Sequence, residues 1–206
     1  MTEIQQLPQK IQYIWCSAAI TKKFEDILIG FICNQIQNNQ QITDYVFYFS
    51  TIGGSPFSAV NLYNFMKSIP QTTTVYNMGL VASAGIPFFL SFKNRVGVPG
   101  CNFMIHQTSI SRNFLPEQVN TFDLETQKSS LIATDKQTQE IIITETASHA
   151  IKPLNKKTVE KAFLNSTNYD VKEAKKYGFI DKVDSPELPT KDIFYLTDQW
   201  LATQPG

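Results

Sequence analysis

The sequence predicts an α/β fold with a largely parallel sheet, and three observations lead to this prediction. Short β-prone runs alternate with segments of helical apolar spacing through the first half of the chain, as in parallel strands joined by right-handed crossovers. The run at residues 45–49 is apolar throughout, as expected of a parallel strand covered on both faces. Small or reactive residues follow directly after predicted strands, which is where sites form in open α/β sheets.

The first strand and the first helix are predicted near the N-terminus. Residues 11–15 form a β-prone run, and Thr21 then opens a helical pattern. Apolar residues recur in this pattern at three- and four-residue spacing, which gives one stripe made of Phe24, Ile27, Leu28, Phe31, Ile32 and Ile36. The apolar strand at 45–49 comes next along the chain.

Two glycines separate that strand from the second predicted helix. Gly53 and Gly54 allow backbone angles that other residues resist, and they leave amide N–H groups uncovered. Ser55 then provides an N-cap and Pro56 a first helical residue, for a helix that stops near Pro70.

A third strand, at residues 73–76, leads into the turn that contains Ser83. An apolar helix at 86–92 follows, and two further strands are predicted at 95–98 and 103–106, the second of which ends in a histidine. The glycine pair, the serine and this histidine therefore all fall at the ends of predicted strands.

The character of the chain then changes. Residues 116–150 are polar with regularly spaced apolar residues, a composition that predicts a long helix, or two, projecting from the core. Because a projecting helix cannot hide its apolar face against that core, we expect a second copy of the chain to cover it. The sequence therefore predicts a homo-oligomer.

Shorter elements are predicted in the remainder of the chain. A helix is expected at 159–164 with Thr158 as its N-cap, and a second helix begins at the capping box of Asp170 and ends at Gly178. A short strand is predicted at 179–183. The tail carries an apolar patch made of Ile193, Phe194, Tyr195, Leu196 and Trp200.

Length and composition limit the classes of function. At 206 residues we expect one domain over residues 1–206. Basic and acidic residues both number 18, so there is no electrostatic case for nucleic acid or an anionic membrane as partner. The 3 cysteines are far apart, which favours buried hydrophobic roles in a reducing compartment over disulfides or zinc. With no apolar signal segment and no long apolar run, we expect a cytoplasmic protein. We also expect neither a metal nor a cofactor.

Ser83 and His106 are the strongest candidates for catalysis. A serine attacks a carbonyl only if a base takes its proton, and histidine is the usual base near neutral pH. The small neighbours Ala82, Ala84 and Gly85 let backbone and substrate approach the hydroxyl. Two plainer interpretations stay open at this point, namely that Ser83 is a helix N-cap and that His106 is a core histidine.

In this order and at this spacing, the segments resemble the proteolytic subunit of the caseinolytic (Clp) protease family. The resemblance covers roughly residues 11–183 and rests on four segments: Gly-Gly at 53–54, Ala-Ser-Ala-Gly at 82–85, Met-Ile-His-Gln at 104–107 and Tyr-Gly-Phe-Ile-Asp at 177–181. It implies the crotonase/Clp-protease-like fold of repeated β-β-α units, with a mostly parallel sheet and a projecting helical handle. The handle would be residues 116–150.

The resemblance also implies the mechanism of a serine peptidase. Ser83 would be the nucleophile and His106 the general base, and the backbone N–H groups of Ala84 and of Gly53 or Gly54 would form the oxyanion hole. Family members stack as two face-to-face rings through an extended helix, so stacked rings of this chain are expected. The expected substrates are peptides or unfolded polypeptides, and an ATP-driven unfoldase is a further candidate partner.

The sequence departs from the family pattern at the third catalytic residue. In the family this residue is an aspartate four positions before the N-cap of the helix that leads to Tyr-Gly, and here the position is Ser166. Asn165 and Asn168 are the alternatives, and no residue of this window is acidic. We therefore expect a neutral polar group to orient His106 and the activity to be low. The segment after His106 is also longer than usual, which leaves the ring size open.

Two other functions stay open on the sequence. A catalytically weak or inactive ring-forming scaffold, or a regulatory subunit, would keep the fold and lack the acid. A crotonase-like acyl-CoA enzyme would share the twin-amide oxyanion hole without needing Ser83 or His106, but no basic cluster for a CoA phosphate stands out near Gly53.

Overall fold

One sheet organises the part of the chain that the computed structural model describes, which is residues 10–39, 41–109 and 120–204. Its strands are β1 (Lys10–Ser17), β2 (Ile42–Thr51), β3 (Thr72–Ala82), β4 (Asn94–Gly97), β5 (Asn102–Ile105), β6 (Thr167–Asp170), β7 (Lys182–Val183) and β8 (Ile193–Thr197). The helices are α1 (Lys22–Asn38), α2 (Pro56–Ser68), α3 (Gly85–Leu90), α4 (Thr121–Ala147), α5 (Lys156–Leu164), α6 (Val171–Tyr177) and α7 (Asp198–Thr203).

The strands are mostly parallel. They lie in the order β6-β5-β3-β2-β1-β8, and β4 pairs with β3 and with β7 beside this row. Within the described ranges every strand pairing is parallel except that of β5 with β6. The predicted α/β fold is confirmed, and because the strands run in parallel, the ends of β2 and β3 meet at one edge of the sheet.

The first two helices begin where the sequence predicts. The Thr21 side chain accepts a hydrogen bond from the Phe24 N–H at the start of α1. Ser55 caps α2 in the same way, with Pro56 as the first helical residue. The predicted stripe of α1 packs inward, and Phe24, like Leu28 and Ile32, is fully buried.

Aromatic side chains fill the core beneath the candidate catalytic turn. Phe88 of α3 lies edge-on against four other rings, and three of them are those of Phe24, Phe47 and Phe49. These three side chains and that of Phe88 are fully buried. The short helix α3 is therefore held firmly in the core, and with it the turn that precedes it.

The long helix α4 is exposed over its first half, as the sequence predicts, and buried over part of its second half. Asn120 caps its first turn, where Phe122 is 77% exposed, and Ile132 is still 46% exposed. Further along, Ile142 and Thr146 are both fully buried. The prediction of an uncovered apolar face therefore holds for the first half only, and residues 116–119 lie outside the described part of the chain.

Two local predictions are wrong in detail. The N-cap of α5 is Asn155, whose Oδ1 accepts from the N–H of Thr158, so Thr158 lies inside the first turn. The predicted strand at 179–183 is reduced to β7, because the chain first closes the end of α6 with Gly178 in a left-handed conformation. The N–H of Phe179 donates to the Ala174 carbonyl, so this residue closes the helix and strand pairing begins only at Lys182.

Candidate active site

A cavity of about 200 Å³ lies where β2, β3 and β5 end. Four residues predicted from the sequence line it, namely Gly54, Ser83, Ala84 and His106. The wall is completed by apolar and hydroxyl side chains, those of Ile52, Pro56, Ile86, Ile105, Thr108, Ser109, Thr138, Ile142 and Phe163. The cavity therefore combines hydroxyl, imidazole and backbone polar groups with apolar side chains.

Ser83 lies in a strained turn between β3 and α3. Its φ of 53° is in the left-handed region, which costs a non-glycine residue about 1–2 kcal/mol. Two backbone bonds hold it there: the Ser83 N–H donates to the Met104 carbonyl over 2.8 Å, and its carbonyl accepts from the Ile86 N–H over 3.0 Å. Strain of this kind is kept only where the surroundings fix it, and it is common at active sites.

The backbone of Gly53 and Gly54 passes too close to its neighbours for any side chain. At Gly53 a Cβ would lie 2.6 Å from the Cβ of Ser83, and at Gly54 it would lie 2.2 Å from the carbonyl oxygen of Ile20. Both residues also have positive φ, 103° and 147°. Ile20 clamps the pair, because its N–H donates to Gly53 and its carbonyl accepts from Ser55.

The two glycines differ in what their N–H groups do. The Gly53 N–H donates to the Thr51 hydroxyl over 3.1 Å, and Gly53 does not line the cavity. Gly54 and Ala84 do line it, and their N–H groups donate to no acceptor within residues 10–39, 41–109 and 120–204. An oxyanion hole needs two such uncommitted amides, so of the two glycines Gly54 is the one whose N–H stays available for the predicted role.

His106 lies one residue beyond the end of β5. Among the residues that the structure describes, no hydrogen bond joins its ring to Ser83 or to a carboxylate. Asp135 instead accepts from the Thr108 N–H, and Asp123 closes the cap of α4. Catalytic hydrogen bonds are often long before substrate binds, so the shared cavity is the relevant geometry here.

The predicted third residue, Ser166, lies just outside the paired ends of β5 and β6. In this antiparallel pair, Met104 lies opposite Asn168 and Ile105 opposite Thr167, where the pairing ends. His106 is the next residue after β5, and Ser166 is the residue directly before β6. Ser166 has a φ of 49° and is exposed.

The third-residue candidates do not line the cavity. Asn165, Ser166 and Asn168 are all exposed and are absent from its wall. The role of any of them in orienting His106 therefore stays a prediction.

Helix α4 contributes a wall that sequence reasoning missed. Thr138 and Ile142 line the cavity from this helix, and Ile142 is fully buried. The spaced isoleucines of α4 indicate that part of it is buried, but not that it faces Ser83.

A polar cluster fixes the C-terminal end of α4 to the sheet. The buried Arg95 donates from Nη2 to the Glu145 carbonyl over 3.1 Å, and Asp181 accepts from the Arg95 backbone N–H. Burial lowers the pKa of Arg95, and the carboxylates of Asp181 and Glu145 oppose this shift. The Tyr63 hydroxyl donates to Glu145, and burial together with this carboxylate raises the pKa of Tyr63.

Two further properties bear on the site. In the described ranges, no three side chains of His, Cys, Asp or Glu lie close enough together to hold a metal ion. None of the helices in those ranges is both long and apolar enough to cross a membrane.

Two curated relatives show sequence similarity to this chain. The ATP-dependent Clp protease proteolytic subunit 3 of Rhodococcus jostii (strain RHA1) is 28% identical over 144 residues, which are 69% of this chain and 66% of that protein. The ATP-dependent Clp protease proteolytic subunit 1 of Streptomyces avermitilis is 29% identical over 144 residues, which are 68% of this chain and 61% of that protein. The chain thus matches less than two thirds of the length of these relatives.

A solved structure and a family model also match this chain. A mutant form of ClpP1 from Listeria monocytogenes matches with a TM-score of 0.71, over 85% of this chain and 92% of that one, at 19% sequence identity. At that identity the likeness shows the fold. The family model described as Clp protease matches residues 3–187, which is most of the sequence. The chain therefore belongs to the Clp protease family.

Proposed function

We propose that this protein is a serine peptidase that cleaves peptides or unfolded polypeptides. The observation that carries the proposal is Ser83 in a left-handed turn, in one cavity with His106 and with two uncommitted backbone N–H groups. A serine capping a helix would need none of these features. Membership of the Clp protease family supports the same conclusion.

The proposed mechanism uses four groups. The Ser83 hydroxyl attacks the carbonyl carbon of the scissile peptide bond while His106 takes the hydroxyl proton. The N–H groups of Gly54 and Ala84 stabilise the oxyanion of the tetrahedral intermediate. As the C–N bond breaks, His106 returns the proton to the leaving amine. Water then attacks the acyl-enzyme with His106 again as base, which releases the acid and restores Ser83.

The third position lowers the expected rate. Ser166 is the proposed partner of His106, because it directly precedes β6 at the end of the sheet where His106 directly follows β5. A hydroxyl accepts the imidazole N–H and so selects a tautomer, but it supplies no negative charge to stabilise the imidazolium. Replacing the acid of a serine triad costs up to about 10⁴ in kcat.

We also propose that identical chains assemble through the first half of α4. Phe122, Leu124 and Ile132 are 77%, 55% and 46% exposed there, which leaves apolar surface for a second copy to cover. Membership of the Clp protease family supports stacked rings and an ATP-driven unfoldase partner as parts of this proposal. Light scattering of the purified protein tests the assembly, and a monomer at micromolar concentration would contradict it.

A fluorophosphonate probe tests the peptidase proposal. We expect the probe to label the protein at Ser83, and labelling to be lost in Ser83→Ala and in His106→Ala. Ser109→Ala is the matched control, since Ser109 is another serine of the same cavity wall. Unchanged labelling of Ser83→Ala would end the proposal.

The second candidate is an inactive scaffold of the same fold. It is favoured by the lack of a carboxylate on His106 among the described residues. The wild-type protein would then assemble normally and remain unlabelled. The crotonase-like alternative would instead predict turnover of a crotonyl thioester that survives Ser83→Ala.

A further inference from the structure

We propose that Asp135 of α4 is the positioning residue for His106, acting through a hydrogen bond to the backbone of Thr108. The proposal rests on the proposed function, in which His106 is the general base. It assigns to α4 a part in the active site beyond its role in assembly. Asp135 does not need to touch substrate to play this part.

His106 is held on its N-terminal side by strand pairing. The carbonyl of Met104, two residues earlier, accepts from the Ser83 N–H over 2.8 Å, which ties the base and the nucleophile to the same strand ends. Beyond Ile105 the strand stops, and residues 106–109 have no regular secondary structure. Strand pairing therefore fixes the backbone up to His106 but not past it.

The next fixed point is on the other side of His106. The Thr108 N–H donates to Asp135 Oδ1 over 2.8 Å. His106 thus lies midway between two anchors, each two residues away. Within the described ranges its ring has no hydrogen-bond partner of its own, so its position depends on these backbone anchors.

The helix that carries Asp135 is held at points C-terminal to it. Asp135 lies near the middle of α4, close to Thr138 and Ile142, which line the cavity from the same helix. Further along, Arg95 bonds to the carbonyl of Glu145 and fixes the helix end to β4. A positioning group is effective only when its own support is fixed, and α4 meets this condition.

The bond is of a strong kind. A carboxylate that accepts from a backbone N–H makes a charge-assisted hydrogen bond, about twice as strong as a neutral one. Among the described residues, no other hydrogen bond holds the backbone from His106 to Thr108 on this side. Misplacing a catalytic group by about 1 Å costs up to about 100-fold in rate.

Three variants of the full-length protein separate positioning from general effects. Asp135→Ala removes the acceptor, and Asp135→Asn keeps an acceptor oxygen at the same place without the charge. Glu140→Ala is the matched control, because it removes an exposed carboxylate from the same helix that accepts no hydrogen bond within the described residues.

Two measurements are made on each variant. The protein has only 2 histidines, so a spectrum of ring-labelled histidine shows one signal for His106 and one for His149, assigned with His106→Ala. The rate of fluorophosphonate labelling at Ser83 is followed against probe concentration, which separates the limiting rate from probe binding.

We expect Asp135→Ala to move the His106 signal, leave the His149 signal in place, and lower the limiting labelling rate by about 10- to 100-fold with little change in probe binding. Asp135→Asn should restore both the signal and most of the rate, and Glu140→Ala should match the wild type. An unmoved His106 signal in Asp135→Ala would overturn the proposal, as would Asp135→Asn behaving like Asp135→Ala. If the wild type is not labelled, the peptidase proposal fails, while the histidine spectrum still decides whether Asp135 positions His106.

Discussion

The two walls of the cavity are built in different ways. The wall that carries Ser83 is fixed by many contacts: two backbone bonds at Ser83, close packing of Gly53 on its Cβ, and the clamp of Ile20 on the glycine pair. Among the described residues, the wall that carries His106 has strand pairing on one side and one hydrogen bond to Asp135 on the other. Ser83 and His106 both lie at strand ends, yet only Ser83 is held by more contacts than its position requires, which we call over-determined.

The difference follows from what each group has to do. In the proposed mechanism the nucleophile and the oxyanion N–H groups have to be held at a fixed separation, and backbone geometry fixes them without side-chain freedom. The base must accept a proton, rotate within limits and give the proton back, so side-chain and loop contacts are enough for it. Substitutions on the two walls should therefore differ in kind, with loss of fold and rate on one wall and graded changes of rate on the other.

The largest effect is expected on the nucleophile wall, at Gly54. In Gly54→Ala a Cβ would lie 2.2 Å from the Ile20 carbonyl oxygen, which is backbone and cannot move aside. The clamp must open and the Gly54 N–H must turn away, which costs about 10²–10³ in rate for a lost oxyanion donor. Labelling kinetics and thermal unfolding measure the two effects together.

Gly30→Ala is the control for this substitution. Gly30 lies inside α1, and a Cβ there would meet nothing within 4 Å. Alanine is favoured over glycine in a helix by about 0.8–1.0 kcal/mol, so this variant should be slightly more stable and fully active. Normal labelling of Gly54→Ala would show that the wall is not over-determined after all.

A smaller effect of opposite sign is expected on the base wall, at Ser166. Ser166→Asp places a carboxylate directly before β6, at the end of the β5–β6 pairing that His106 directly follows. It would stabilise the imidazolium, and since the acid is worth up to about 10⁴ in such a triad, we expect a rise of at least about 10-fold. Aspartate also tolerates the left-handed backbone of this position better than most residues do.

Two neighbouring substitutions sharpen the result at Ser166. Asn165→Asp and Asn168→Asp add the same charge one or two residues away and should not raise the labelling rate. Equal gains in all three variants would indicate a general field effect instead of a specific partner. No gain in any of them would favour the inactive scaffold.

The sequence predicts the nucleophile wall better than the base wall, and the reason is local. The glycine pair, the serine turn and the caps Thr21 and Ser55 are each encoded within a few neighbouring residues. By contrast, the contact of Asp135 with Thr108 joins residues 27 apart in sequence, and no periodicity reveals it.

The same limit explains the other differences from the sequence predictions. The tail reads only as an apolar patch, because its strand β8 is defined by pairing with β1 at the opposite end of the chain. Ile142 is buried because its part of α4 packs against the core, and the spacing of apolar residues in α4 does not indicate which part does so. The Thr158 prediction failed because Asn155 competes for the same cap.

The smallest effect is expected at Asp198, on the outer support of the nucleophile wall. Asp198 Oδ1 accepts from the Ala19 N–H over 3.0 Å, next to the Ile20 clamp. Asp198→Ala removes this bond, which should lower the free energy of unfolding by about 1 kcal/mol. The labelling rate should change less than about threefold, because the bonds of Ile20 to Gly53 and Ser55 still hold the glycine pair in place.

Asp198→Ala and Asp135→Ala together form the direct test of the comparison. Each variant removes one carboxylate that accepts from a backbone N–H near a catalytic group, over 3.0 Å and 2.8 Å. Ile20 keeps its bonds to Gly53 and Ser55 when Asp198 is lost, so Gly54 should stay in place. Among the described residues, those after His106 keep no comparable bond when Asp135 is lost. Similar rate losses in the two variants would mean that the walls are equally constrained, whereas a loss confined to Asp135→Ala would show that one wall depends on many contacts and the other on one.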